Sequence, residues 1–230
     1  MALDGTYDGL KASIADFLNR TDLASAIPDF ITLAEAQMAR RFVGRSRQGL
    51  SIPRRLILRA DANVVSTAEF VAVPGDFLGP IEFVLKGTPG IVLDYLDPTN
   101  FQQWKEANSL AGMAPRYYTV VGDEFQMFPA ADKAYTAELT YVARPAAAST
   151  TPNWILRDYP DAYLYGALVQ SAPYLRDDGR ATTWGSLFSA ALDDICNADP
   201  MPTDTSTLRT KFPDLTRLGR LSRFDINSNF

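Results

Sequence analysis

Few residues of this chain could do chemistry. Two adjacent carboxylate pairs stand out, Asp177 with Asp178 and Asp193 with Asp194, together with one cysteine, Cys196. Two carboxyl groups roughly 5 to 9 Å apart can hydrolyse a glycoside, and a thiolate is a nucleophile where its surroundings lower its pKa. Adjacent residues of a helix point in different directions, however, and both pairs fall where a cap or a solvated face accounts for them. Cys196 sits in a helical run, where a small apolar side chain is expected in the core, and a lone cysteine closes no internal disulfide. Histidine is absent from all 230 residues. That removes Ser-His-Asp and Cys-His triads, histidine-zinc sites and histidine general bases together. No glycine-rich phosphate loop, CxxC pair or EF-hand loop occurs. The expectation is a protein that is not an enzyme and holds no cofactor or metal.

Two further groups are candidates for binding. Phe101, Trp104, Tyr117, Tyr118, Phe125 and Phe128 could form a sugar-stacking face, which would make the middle of the chain a carbohydrate- or receptor-binding module. Core and interface packing is the competing use. Arg40, Arg41, Arg45 and Arg47 cluster at the end of a helical pattern, either as cations solvated at the negative end of the helix dipole or as a docking patch for an acidic partner.

The elements that must position these groups are organised around residues 154–178. Asp158 is placed to cap a helix, Pro160 fits its first turn and Asp161 suits its positive end. Ala162, Tyr163, Leu164, Tyr165, Ala167, Leu168, Val169, Ala172 and Leu175 follow with no clear polar stripe, so this helix is expected to be buried on most sides. Gly166 and Pro173 predict a bend or a close helix approach. Before it, Thr6 caps a helix with Tyr7, Leu10, Ile14, Phe17 and Leu18 at helical spacing, and Ser25 and Pro28 open a second that Gly44 stops. After it, Ala181, Trp184, Phe188, Ala191 and Ile195 mark a fourth.

From residue 50 the period changes from helical to alternating. Short runs at 56–59, 64–66, 69–73, 81–86, 91–96, 116–121, 124–128 and 137–143 are separated by turn-forming residues, with Gly122 and Asp123 as a two-residue hairpin turn. Asp97 and Pro98 start a short helix among them. The expected fold is α+β: a four-helix bundle from residues 1–45 and 152–200, an antiparallel β-sandwich or barrel inserted at 46–151, and an extended arm at 201–230.

The length and the 47% apolar content suffice for an ordinary core. A net charge of −5 argues against coating nucleic acid. No apolar run approaches the roughly 18 residues of a membrane span, and no basic segment precedes an apolar one at the N-terminus, so a soluble protein made in the cytosol is expected. In the arm, Arg209, Lys211, Arg217, Arg220 and Arg223 are interleaved with Leu208, Phe212, Leu215, Leu218, Leu221 and Phe224. A segment with no core of its own needs a surface to lie on, so docking on another subunit or protein is expected. Packing back on its own domain is the alternative.

Trp154, the PDAYLYGAL run at 160–168, APYLRDD at 172–178 and Trp184, with Tyr7, Leu10, Ile14, Leu18 and IPDFITLAEAQMARR at 27–41, resemble the head-to-tail adaptor, or connector, proteins of short-tailed phages. The resemblance covers the two ends, about half the chain. It implies a homo-oligomeric ring, usually dodecameric, between the capsid portal and the tail nozzle at the head-tail junction of the virion. The helical part would contact neighbouring subunits and the arm the portal protein. DNA would cross the channel without specific binding, which an acidic balance suits.

Overall fold

The structure, a computed structural model, describes residues 3–108, 112–150, 153–175 and 178–198. The sequence-derived arm, with Leu208, Arg209, Lys211, Phe212, Leu215, Arg217, Leu218, Arg220, Leu221, Arg223 and Phe224, lies outside them. The class is α+β, as expected.

Helix α1 (Tyr7–Leu18) starts at Thr6, whose Oγ1 accepts the Gly9 amide at 3.0 Å, and ends at Asn19 in the left-handed region at φ 50°. Helix α2 (Ile27–Arg47) has Pro28 in its first turn and no side-chain cap. Ser25 therefore does not cap it. Nor does Gly44 stop it: the helix runs on to Arg47 because the chain beyond is held by a side-chain clamp described below.

The expected helix does start at Pro160, and a short helix not anticipated from the sequence precedes it. Helix α4 (Trp154–Asp158) is capped by Asn153, whose Oδ1 accepts the Leu156 amide at 2.9 Å, and α5 (Pro160–Leu175) follows after Tyr159; α6 (Asp178–Ala198) completes the helical layer. Asp158 does not serve as the expected cap. Its carboxylate instead takes Arg55 at 2.6 Å and Arg157 at 2.6 Å, and these two guanidiniums hold it well below the ordinary carboxylate range.

Helices from both ends of the sequence share one core, in which Ile14, Ile31, Met38, Phe42, Tyr163 and Ile195 are fully enclosed. A Cβ on Gly166 would stand 2.9 Å from the Phe188 ring and 3.0 Å from Ala34 Cβ, so α2, α5 and α6 converge where α5 has no side chain. Pro173 falls in the last turn of α5, where its missing N–H leaves the helix unbroken through Leu175.

The β unit is one seven-stranded sheet curled into a nearly closed barrel. Its strands are β1 (Ile57–Val64), β2 (Phe70–Ala72), β3 (Phe77–Leu85), β4 (Ile91–Tyr95), β5 (Tyr117–Val121), β6 (Glu124–Phe128) and β7 (Tyr135–Ala143), in the order β1-β7-β3-β4-β5-β6-β2. It is not wholly antiparallel, as the alternating runs had suggested. Strands β4 and β5 pair in parallel, Asp94 opposite Tyr117, because the chain crosses between them through α3 (Pro98–Ala107), the kind of long connection a parallel pair requires. Asp97 caps α3 through the Thr99 amide at 3.0 Å, and Gly122 makes the β5–β6 turn at φ +61°. A second core of Phe83, Leu85, Tyr118, Phe125, Met127 and Leu139 fills the barrel.

Candidate interaction surfaces

The returning chain after β7 is fastened to the helices by one polar network. The Asn153 amide donates to Ala146 O at 2.6 Å and to Tyr163 Oη at 2.9 Å; Tyr163 donates to Glu35 at 3.4 Å, and Glu35 accepts the Ala148 amide. Burial raises the Glu35 carboxyl above its ordinary value, and burial together with the Glu35 charge raises the Tyr163 hydroxyl. The network secures the chain leaving the barrel without exposing a titratable group in a cleft, so it is architecture.

The arginine cluster divides into two pairs. Arg45 Nη1 reaches Asp193 at 2.8 Å and its Nε donates to Ser51 O at 3.0 Å, while Arg41 stands 3.7 Å from the same carboxylate. These two serve the fold. Arg40 and Arg47 are exposed, and together with Arg144 they border a groove of about 350 Å³ lined by Ala36, Val43 and Leu78. Among the described residues none of these three has a carboxylate within salt-bridge distance. A second groove of about 530 Å³, along Val43, Arg47, Leu78, Pro80 and Tyr95, continues it. Apolar floors with guanidinium rims suit the side chains of an acidic protein segment.

A third depression lies where the barrel fails to close. β1 pairs along its whole length with β7 and β2 pairs with β6, but β1 and β2 share no ladder. Between these free edges is a cleft of about 440 Å³ whose floor is Phe83, Phe125 and Leu139.

The sequence-derived chemical candidates do not converge. Cys196 is fully buried, and burial raises its thiol. Asp193 is engaged by two arginines and Asp194 is exposed; Asp177 and the Asp178 side chain lie outside the described residues. Of the six aromatics, Phe101, Tyr118 and Phe125 are interior, and Trp104 packs on Tyr117 at 4.5 Å to seat α3 on the sheet. They build the barrel core and the α3 contact in place of a sugar-stacking face. Burial pushes the Tyr118 hydroxyl up to about 12. Among the described residues no group of three or more Asp, Glu or Cys could hold a metal ion, and no helix is long and apolar enough to cross a membrane.

Grooves bordered by arginine and a free strand edge thus lie on a scaffold of two packed cores. The SU10 adaptor protein family model matches residues 5–211, and the chain belongs to that family. It is thereby a structural adaptor of a phage and a component of the virion; the family is not one of enzymes. The match includes the β unit, in which no motif of the sequence had suggested the family. No curated protein matches the chain.

Proposed function

We propose that the protein is the head-to-tail adaptor of a short-tailed phage, a homo-oligomeric ring of twelve subunits that joins the portal to the tail nozzle and continues the DNA channel. Membership of the adaptor family is the observation that carries this reading. Two features support it. The arginine-rimmed grooves on α2 and β3 leave one side of the scaffold with unmatched positive charge in a chain of net charge −5, as a heterologous contact between acidic subunits requires. Residues 201–230 alternate cations with Leu and Phe anchors, a composition suited to an arm that gains affinity by burial on the portal. In this reading residues 1–45 and 152–200 are the helical domain, 46–151 the inserted β domain and 201–230 the docking arm.

Deleting residues 203–230 tests it. The truncated protein is expected to keep its circular dichroism and melting transition and to lose co-sedimentation with portal rings. Undiminished co-sedimentation would overturn the assignment of the arm.

A further inference from the structure

The groove on α2 has a length and a charge that specify its occupant. It follows the helix from Ala36 to Arg47, about 16 Å at the helical rise. Val43 and Leu78 make it apolar, and the small residues Ala36 and Gly44 keep it open: a Cβ on Gly44 would meet nothing within 4 Å. Arg40 and Arg47 project from the exposed face of α2, about 10 Å apart along its axis. Arg144 adds a third cation on the border. An element that fills such a groove brings carboxylates two turns apart with a small side chain between them.

Helix α1 carries that pattern. Leu10, Ser13, Ile14 and Leu18 are its buried side, and Asp8, Ala12 and Asp16, at steps of four, form an exposed one. The two carboxylates stand about 12 Å apart along the axis. Asp16 has no cation within salt-bridge distance among the described residues, and Asp8, although it meets Lys11 at 2.7 Å, stays 90% exposed and open to a second cation. The 12 residues of α1 span about 18 Å, close to the length of the groove. Other acidic groups fit less well. Asp61 and Glu138 already face Lys86 and Arg59, and Asp123 and Glu124 sit on a tight turn too short to fill the groove. The buried side of α1 packs into the helical core of its own copy, so its acidic face turns outward and can reach only another molecule.

We propose that α1 of a neighbouring copy lies in this groove, with Asp8 and Asp16 on Arg40 and Arg47 and Ala12 over Gly44. The groove and the acidic face are different surfaces, so each contact leaves one of each free and the association propagates until it closes. The inference rests on the ring reading above and names the two faces that meet in it.

The test uses the full chain carrying Ala12→Cys and Gly44→Cys, oxidised after assembly on portal rings. Both positions lie midway between the charges, so the link forms whichever way the helix runs. A ladder of covalent dimers, trimers and larger species is expected; Cys196 is buried and takes no part. Dimers alone would show a mutual two-fold contact and overturn the proposal, as would a link only within single chains or no link. In a second reading, Arg40→Glu with Arg47→Glu, or Asp8→Lys with Asp16→Lys, is expected to lower the assembled fraction by about tenfold or more, and the chain with all four substitutions to recover it. Loss in the arginine variant without recovery in the fourfold variant would assign the groove to another acidic partner and overturn α1 as its occupant. Circular dichroism of each variant reports the fold, and native mass spectrometry of the wild-type samples reports the ring separately. A ring without the ladder would overturn the α1 seat alone; no ring would overturn the assembly reading with it.

Discussion

Arg45 Nη1 lies 2.8 Å from Asp193 Oδ1, so the last turn of α2 is held to α6 across the entire β unit in sequence. The same guanidinium donates to Ser51 O at 3.0 Å, at the point where the chain leaves for the barrel. One side chain thus joins the N-terminal helices, the C-terminal helices and the segment that leads into the barrel. Arg45→Ala removes both contacts and is expected to destabilise the protein by about 1–2 kcal/mol, whereas Asp193→Ala, which leaves the Ser51 bond, costs about 0.5–1 kcal/mol. Urea unfolding of the two variants and of the double variant measures the difference.

At Gly166 the helices approach closely, with Phe188 and Ala34 where a methyl would go. Gly166→Ala is expected to cost about 1–3 kcal/mol by overpacking despite the better helix propensity of Ala. A melting temperature unchanged or raised in the variant would refute the convergence of α2, α5 and α6 at this position.

Truncating the barrel core at Phe125→Ala removes a ring that packs on Phe77 and Phe83 at 5.3 and 5.2 Å. The expected cost is about 3–5 kcal/mol. Near-ultraviolet circular dichroism and calorimetry would register it as a lower transition temperature.

Two carboxyls give pH signatures of opposite sign. Asp158 is depressed by Arg157 and Arg55 from an ordinary value of 3.8, so its contribution is present above that pH and is lost as pH falls toward its lower folded value. Glu35 is raised by burial from 4.5; its contribution is present below that value and is lost as pH rises through the folded one. Asp158→Asn is expected to flatten the acid limb of the stability curve below about pH 4, and Glu35→Gln to remove the decline above about 4.5. Denaturant midpoints across this range for the three proteins check both signs.

Much of this architecture was legible in the sequence because it rests on local signals. Thr6 and Asp97 cap the helices their positions implied, Gly122 makes its hairpin turn, and the apolar density of residues 162–172 matches a helix enclosed on most sides. What failed depended on distant partners. Nothing local shows that Asp158 meets Arg55 from the start of the β unit and so leaves the capping role, or that Arg45 reaches Asp193 and the helix continues past Gly44. The parallel β4–β5 pair follows from where α3 crosses, which alternation cannot encode. The arginine cluster could be read as solvated charge or as a docking patch. Arg41 and Arg45 turn inward to Asp193 while Arg40 and Arg47 border a groove, and only tertiary placement separates them.

The most direct test of the adaptor assignment is an electron cryomicroscopy map of the intact virion at a resolution that distinguishes strands. The assignment predicts this fold, its seven-stranded barrel and its α2–α5–α6 core, as a continuous ring between the portal and the nozzle. Finding the fold instead in the fibres or on the capsid surface, with another protein filling the junction, would contradict it.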